Sequence, residues 1–191
     1  MHSPSAVRQL AAALVVIGLA PVMSHAQIRF LSKDPGTEVR LEVAAGFGPN
    51  PLRFGEYGQL VVEVFVADPW YIYSLDSDGE SGPPTSIVLD KGIPFALGVS
   101  FESKPILELD VLTGAAYRVH KGQVRFWAVV RLNHPVDAGK HLLSGTLAYS
   151  ACNGIVCLPE RYLPFRLQIE IAGGAIRPEF SAPASIPVAE N

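Results

Sequence analysis

The side chains whose type and spacing could do chemistry are the two cysteines, Cys152 and Cys157, with four residues between them. Strand-like segments precede and follow the pair, which predicts a hairpin. If its loop comprises residues 153–156, the cysteines face each other with Cα atoms about 4.5–5.5 Å apart, within disulfide reach. If Asn153 and Gly154 instead form a two-residue turn, the cysteines lie diagonally at about 7–8 Å, typically beyond that reach. The four-residue loop is the favoured interpretation.

Two roles are open to such a pair, a structural staple and a reversible redox centre. In an exported sandwich protein a staple is the more common role, but closing a ring of about six residues stabilises a fold by only about 2 kcal/mol. The usual staple of an immunoglobulin domain also joins two sheets across the core, whereas this pair lies within one hairpin. These two arguments favour thiol–disulfide exchange, in which one thiolate attacks and a second thiol resolves the intermediate.

The elements that must position the cysteines are short strands. Apolar residues recur with a period of two in seven segments, and clusters of Gly, Pro, Asn and Asp separate them. After Gln27 no segment carries a long helical stripe. The pattern predicts an all-β, immunoglobulin-like antiparallel sandwich, which uneven strand lengths favour over a closed barrel. The seven segments are 39–43, 60–66, 71–73, 87–89, 124–130, 143–149 and 165–171.

The amino terminus predicts export. An apolar stretch at residues 10–22 is followed by Ser24-His25-Ala26, which is typical of a signal peptide (1–26) cleaved before Gln27. The stretch is shorter than the roughly 20 residues that span a bilayer, so a retained anchor is the weaker alternative, and no later segment is a candidate membrane helix. Export places the cysteines in an oxidising compartment, where a disulfide persists.

The mature chain is predicted to hold one domain, at residues 27–171, followed by a tail at 172–191. The tail is rich in Gly, Ala, Ser and Pro, which favours a flexible end. The alternative is that part of it docks on the sandwich through Ile176 or Phe180.

Other chemistry finds little support. Fifteen basic against 18 acidic residues, without a basic run, argue against a nucleic-acid partner. The histidines after residue 27 do not have the spacing of metal ligands, and there is neither a phosphate loop nor a dinucleotide fingerprint, so we expect no metal and no cofactor.

A resemblance adds to this interpretation. The run YSACNGIVCLPE (149–160), with DPWYIYSLDSDG (68–79) and PPTSIVL (83–89) upstream, resembles the amino-terminal periplasmic domain of the thiol:disulfide interchange protein DsbD, also called the disulfide bond corrector domain. The match covers residues 41–171, and its most specific part is the aromatic-x-Ala-Cys, short loop, Val-Cys-x-Pro pattern. The resemblance implies an immunoglobulin-like domain with a reversible dithiol.

It also implies roles for individual residues. Cys157 would attack the partner disulfide or enter the mixed disulfide, and Cys152 would resolve it. Tyr71 and Tyr73 match tyrosines that line the active site of the family. The alternative for these tyrosines is ordinary cross-strand packing.

A cap loop that shields the cysteines in the family corresponds to residues 109–114. Leu112 stands at its tip, where the family usually has an aromatic residue, so the shielding differs in this chain. Asp110 matches an acidic position near the site, and its alternative is a solvated loop carboxylate.

The expected function is exchange of thiols and disulfides in the periplasm, with electrons passing from a thioredoxin-like reductant to oxidised periplasmic proteins. Since this chain lacks the membrane-spanning and thioredoxin-like segments of the full-length relative, it needs a partner, and a membrane protein is a possible electron donor. The alternative is a binding or chaperone-like sandwich in which the disulfide is only structural.

Overall fold

The computed structural model describes residues 28–30, 41–78, 82–109 and 114–183. Nearly all regular structure in these ranges is β-strand, because the apolar residues alternate with a period of two. A single turn of 3-10 helix, Pro178–Phe180, is the exception. The strands are β1 (Ile28–Phe30), β2 (Leu41–Gly48), β3 (Leu52–Arg53), β4 (Tyr57–Val66), β5 (Tyr71–Tyr73), β6 (Ser86–Leu89), β7 (Phe95–Glu102), β8 (Ile106–Leu109), β9 (Ala116–His120), β10 (Gly122–Leu132), β11 (Gly139–Tyr149), β12 (Ala151–Cys152) and β13 (Arg161–Ala172).

Two of the sheets form a sandwich. Sheet A has the strand order β1-β2-β4-β10-β7, and sheet B has the order β3-β13-β11-β6. Neighbouring strands are antiparallel except for β3, which pairs in parallel with β13. The all-β fold predicted from the sequence, an immunoglobulin-like antiparallel sandwich, is confirmed.

The core lies between sheets A and B. Every second residue of β4, β10 and β13 is buried, and the intervening side chains are partly or fully exposed. Phe126 of sheet A and Phe165 of sheet B are among the largest side chains with almost no exposed surface. Burying such a side chain stabilises the fold by about 1.5–3 kcal/mol, so the inward-facing residues of these strands hold the two sheets together.

Close packing within sheet B depends on one glycine. Gly145 lies in β11 opposite Leu89 of β6. A Cβ atom at Gly145 would lie 2.3 Å from the carbonyl oxygen of Val88 and 2.8 Å from the Phe165 ring. Because one of these obstacles is backbone, only glycine fits here.

Sheet C is smaller and positions the cysteines. Its strand order is β12-β5-β9-β8. The chain leaves sheet B at Tyr149 and enters sheet C at Ala151, so that Ser150 alone separates β11 from β12. Ile72 of β5 joins the main core, whereas Tyr71 and Tyr73 face the other side of sheet C and form a second buried cluster with Cys152.

The seven predicted strands are present, the first of them described from residue 41 onwards. Six further strands within the described residues were not among those predicted: β1, β3, β7, β8, β9 and β12. Among the described residues there is no helix of the length and apolar character needed to cross a membrane. The predicted signal peptide (1–26) lies outside the described residues.

Arg177, in the predicted tail, contacts the sandwich. Arg177 donates through Nε and Nη2 to the two carboxylate oxygens of Glu56, at 2.9 and 2.6 Å. Its backbone N–H also donates to Glu56, and Nη2 donates to the carbonyl oxygen of Pro51. These contacts include an ion pair, and the side chain of Ile176 also lies next to Gly55. Residues 184–191 lie outside the described residues.

Candidate functional site

Cys152 and Cys157 form a disulfide with an S–S distance of 2.01 Å and a Cα–Cα distance of 4.1 Å. The two residues are paired as an isolated antiparallel bridge at the end of the hairpin formed by β11 and β13. The predicted four-residue loop is thus confirmed, and the Cα separation is slightly shorter than expected. Since both cysteines lie in one loop, the bond does not join sheet A to sheet B.

Asn153 organises this loop. Its side-chain oxygen accepts hydrogen bonds from the backbone N–H groups of Ile155 (3.0 Å) and Val156 (2.8 Å), and its own N–H donates to the Val156 carbonyl (3.1 Å). Gly154 has a φ of 84°, a left-handed conformation that glycine adopts without a steric penalty. The Asn-Gly pair therefore shapes the loop, as turn chemistry predicts.

The two halves of the disulfide differ in exposure. Cys152 is 1% exposed because its strand β12 is covered by the cluster around Tyr71 and Tyr73, whereas Cys157 is exposed. In thiol–disulfide exchange the reaction depends on which sulfur can be approached. The geometry leaves Cys157 as the residue of the pair that another protein can reach.

Three tyrosines surround the buried side of the disulfide. The hydroxyl of Tyr73 lies 3.3 Å from Sγ of Cys152 and 4.0 Å from Sγ of Cys157. Tyr71 lies directly opposite Cys152 in the sheet, and its hydroxyl is 3.3 Å from that of Tyr117. The three rings pack pairwise with centroids 6.0 Å apart. The three rings together form an apolar surface beside the two sulfur atoms, and their hydroxyl groups make part of that surface polar.

The Tyr71 hydroxyl is a neutral phenol at neutral pH. Burial raises the pKa of the Tyr71 hydroxyl well above its usual value, and the hydrogen bond with Tyr117 raises it further. Lys121 lies over the Tyr71 ring at 5.6 Å and forms an ion pair with Glu108, so the charges at this edge of sheet C are paired. A neutral phenol can donate a hydrogen bond to a sulfur that gains negative charge.

A glycine allows the chain to cover Tyr73. A Cβ atom at Gly82 would lie 2.2 Å from Cε2 of the Tyr73 ring. Thr85, in the same segment, donates from its hydroxyl to the Tyr73 carbonyl. The segment that begins at Gly82 therefore packs directly against the tyrosine that contacts both sulfurs.

A carboxylate from sheet A supports sheet C from behind. Oε2 of Glu102 accepts a hydrogen bond from the backbone N–H of Leu75 (2.7 Å) and lies 2.9 Å from Nε2 of His120. Leu75 follows β5 and His120 ends β9, so one carboxylate ties together the two strands that carry the tyrosines. The His120 side chain is 3% exposed and packs edge-on against Phe126.

The structure brings four of the six predicted site residues together: Cys152, Cys157, Tyr71 and Tyr73. The other two, Asp110 and Leu112, lie outside the described residues. Sequence reasoning missed Tyr117 as a member of the site. The alternation of Tyr117 with Val119, both in the cluster around Cys152, is the signal that would have found it.

A separate apolar groove of about 510 Å³ lies on the outer face of sheet A, with Trp127, Val99 and Phe101 among its lining residues. No residue of the tyrosine cluster or of the disulfide lines it. Among the described residues, no three His, Cys, Asp or Glu side chains lie in a group that could hold a metal ion.

The architecture is similar to that of the N-terminal periplasmic domain of ScsB from Proteus mirabilis. The TM-score is 0.51 at 18% sequence identity, over 77% of this chain and 52% of that chain, so this chain spans about half the length of that structure. The DsbD N-terminal domain of Neisseria meningitidis in its reduced form overlaps more loosely, with a TM-score of 0.36 at 20% identity over 61% of this chain and 78% of that chain.

A scan against protein-family models found no match, and neither did a search of curated protein sequences. At such low identity the likeness to ScsB establishes the fold, and the fold implied by the resemblance in sequence is thereby confirmed.

Proposed function

We propose that this protein exchanges thiols and disulfides with other proteins in the periplasm through the Cys152–Cys157 disulfide. The observation that carries the proposal is the unequal exposure of the two cysteines, with the buried one held against a tyrosine hydroxyl. A thioredoxin-like protein supplies electrons, and oxidised periplasmic proteins receive them. The proposal also draws on the predicted signal peptide and on the similarity in fold to a domain described as periplasmic.

In the first half of the reaction, the partner's thiolate attacks Sγ of Cys157. A bond forms between the partner sulfur and Cys157, the Cys152–Cys157 bond breaks, and Cys152 leaves as a thiolate that takes up a proton. The second thiol of the partner then attacks the mixed disulfide. The partner leaves oxidised, this protein keeps two thiols, and two electrons have moved.

In the second half, the Cys157 thiolate attacks the disulfide of an oxidised protein. One sulfur of that protein leaves as a thiolate, and the Cys152 thiolate then attacks Cys157 to release the other sulfur. The client is reduced, the Cys152–Cys157 disulfide is restored, and the cycle needs no metal or organic cofactor.

The tyrosine cluster assists the departure and return of Cys152. The Tyr73 hydroxyl, 3.3 Å from Sγ of Cys152, donates to that sulfur as charge develops on it. Because Tyr71 remains a neutral phenol, it adds no negative charge that would disfavour the thiolate. Asp110 and Leu112 remain proposed neighbours of the site on the basis of the sequence resemblance alone.

Two single-cysteine variants test the assignment of roles. Cys152→Ser leaves Cys157 as the sole thiol, and the matched control Cys157→Ser leaves only the buried Cys152. Each is mixed with a single-cysteine thioredoxin activated as its thionitrobenzoate disulfide, and the release of thionitrobenzoate is followed by absorbance. We expect the Cys152→Ser variant to form the mixed disulfide at least about tenfold faster, because Cys157 is an exposed residue and Cys152 is buried. Equal rates, or a faster Cys157→Ser variant, would contradict the proposed order of attack.

The reduction potential separates exchange from a structural staple. The native disulfide is equilibrated with dithiothreitol redox buffers, and the free thiols are counted after alkylation. A potential near or above that of thioredoxin, about −270 mV, supports exchange, because electrons can then flow from a thioredoxin-like donor. A potential well below about −300 mV is that of a structural bond and would refute the proposed function.

A further inference from the structure

Two apolar side chains project from the loop between the cysteines. Ile155 is 92% exposed and Val156 is 50% exposed, although both are β-branched apolar residues. The turn itself is made by Asn153 and Gly154, so the loop does not require apolar residues at the next two positions. We call Ile155 and Val156 the loop tip.

The loop tip is held in a defined conformation. The Asn153 side chain accepts hydrogen bonds from the N–H groups of both loop-tip residues, and Leu158 donates to the Ala151 carbonyl at the base of the loop. A surface that is already ordered loses little conformational entropy when a partner binds. The loop tip therefore has the rigidity of a binding surface as well as its exposure.

The loop tip also adjoins the exposed cysteine, Cys157. Val156 precedes Cys157 directly, and the Cα atom of Ile155 is at most about 7 Å from that of Cys157 along the chain. A protein whose cysteine reaches Cys157 must therefore come within contact distance of the loop tip. From Ser150 to Pro159 the chain carries no charged side chain, so the loop itself offers an approaching protein no charge to pair with.

We propose that Ile155 and Val156 form the docking surface for the protein reductant, and that this partner carries an uncharged, apolar surface next to its reactive cysteine. The inference rests on the proposed function and adds the surface that selects the partner. A lipid surface is a poorer occupant, because membrane-binding loops combine apolar residues with Lys or Arg, which this loop lacks. The apolar contact forms before the sulfur reacts, and it raises the rate of reaction with a protein while leaving a small dithiol unaffected.

The experiment compares two reductants on the same variants. Ile155→Ser and Val156→Ser are prepared separately, oxidised, and reduced either by thioredoxin or by dithiothreitol, and the rates are followed by quenched alkylation. The control is Leu142→Ser, since Leu142 is 51% exposed, much like Val156, but lies on β11 seven residues before its end at Tyr149. All three side chains are on the surface, and thermal unfolding checks that each variant remains folded.

We expect Ile155→Ser to slow reduction by thioredoxin about tenfold, equivalent to 1.4 kcal/mol, with a smaller effect for Val156→Ser. Reduction by dithiothreitol, and both reactions of Leu142→Ser, should stay within about twofold of the wild type. If thioredoxin reduces the wild type and Ile155→Ser equally fast, or if Ile155→Ser slows both reductants alike, the docking surface is refuted while exchange stands. If thioredoxin cannot reduce the wild type although dithiothreitol can, the proposed function itself fails.

Discussion

The ion pair that anchors the tail gives a quantitative test of the fold. Glu56 has no exposed surface, and its carboxylate receives two side-chain hydrogen bonds from Arg177, one from the Arg177 backbone and one from the Arg53 backbone. Arg177→Met removes the guanidinium and keeps a side chain of similar length. It leaves a buried carboxylate with only its two backbone donors.

We expect Arg177→Met to lower the free energy of unfolding by about 3 kcal/mol at pH 7, because breaking a buried ion pair leaves an uncompensated charge. Urea unfolding followed by tryptophan fluorescence measures this difference. Arg166→Met is the matched control, since Arg166 is exposed on β13, and should change the free energy by less than about 0.5 kcal/mol. A loss below about 1 kcal/mol for Arg177→Met would refute the view that this contact holds the tail.

The pH dependence supplies a second readout. Burial raises the pKa of Glu56, but the hydrogen bonds and the charge of Arg177 outweigh it and keep the pKa below its usual value of 4.5. The wild type therefore holds this stabilisation above pH 4.5 and loses it as the pH falls through the lower pKa of the folded state. Arg177→Met removes the largest of the contributions that lower this pKa, so we expect the pKa of Glu56 to rise and the variant to hold less of this stabilisation at pH 7. The difference in free energy of unfolding between the wild type and Arg177→Met should therefore shrink from pH 7 to pH 4. A difference that stays constant over this range would contradict this account.

Two further substitutions test the supports of the site. Glu102→Leu removes the acceptor shared by Leu75 and His120. It should lower the free energy of unfolding by about 1–3 kcal/mol in urea titrations, because buried polar groups lose their partner. An unchanged urea midpoint would argue against this link between sheets A and C. Gly145→Ala places a methyl group against a carbonyl oxygen of β6 and should lower the free energy of unfolding by more than about 2 kcal/mol. In the control Gly46→Ala the new Cβ atom meets no neighbour within 4 Å, so the free energy of unfolding should be nearly unchanged. Similar losses for the two alanine variants would show that backbone crowding in sheet B is not the cause.

Local sequence patterns were sufficient for much of this architecture. Strands β4, β10 and β13 are long and strictly alternating, and they pack one face on the core, so their period of two is unambiguous. The cysteine spacing likewise predicted the loop, because a disulfide restricts which residues can face each other. Tyr71 and Tyr73 were identified through the resemblance. In the structure both tyrosines pack in one buried cluster with Cys152.

What sequence reasoning missed depends on tertiary contacts. In β7 the alternating residues Phe95, Leu97, Val99 and Phe101 have the period of a strand, but only the first is buried. The pairing of β7 with β10 shifts register between Leu97 and Ser100, so Val99 and Phe101 lie on the outer face of sheet A. The short strand β9 carries Tyr117 to the site only through its pairing with β5 and β8. The contact between Glu56 and Arg177 joins positions 121 residues apart, a distance over which local patterns carry no information.

The change of sheet at Ser150 has a consequence for the lifetime of any covalent complex. Cys152 is fixed by the pairing of β12 with β5, and backbone hydrogen bonds at Asn153 and Leu158 close the loop on both sides of the disulfide. None of these bonds involves sulfur, so the two thiols keep a high effective molarity after reduction. In a mixed disulfide between Cys157 and an oxidised protein that is being reduced, we therefore expect the Cys152 thiolate to attack Cys157 quickly; the Cys152–Cys157 bond re-forms, the client sulfur leaves as a thiolate, and the covalent complex is short-lived.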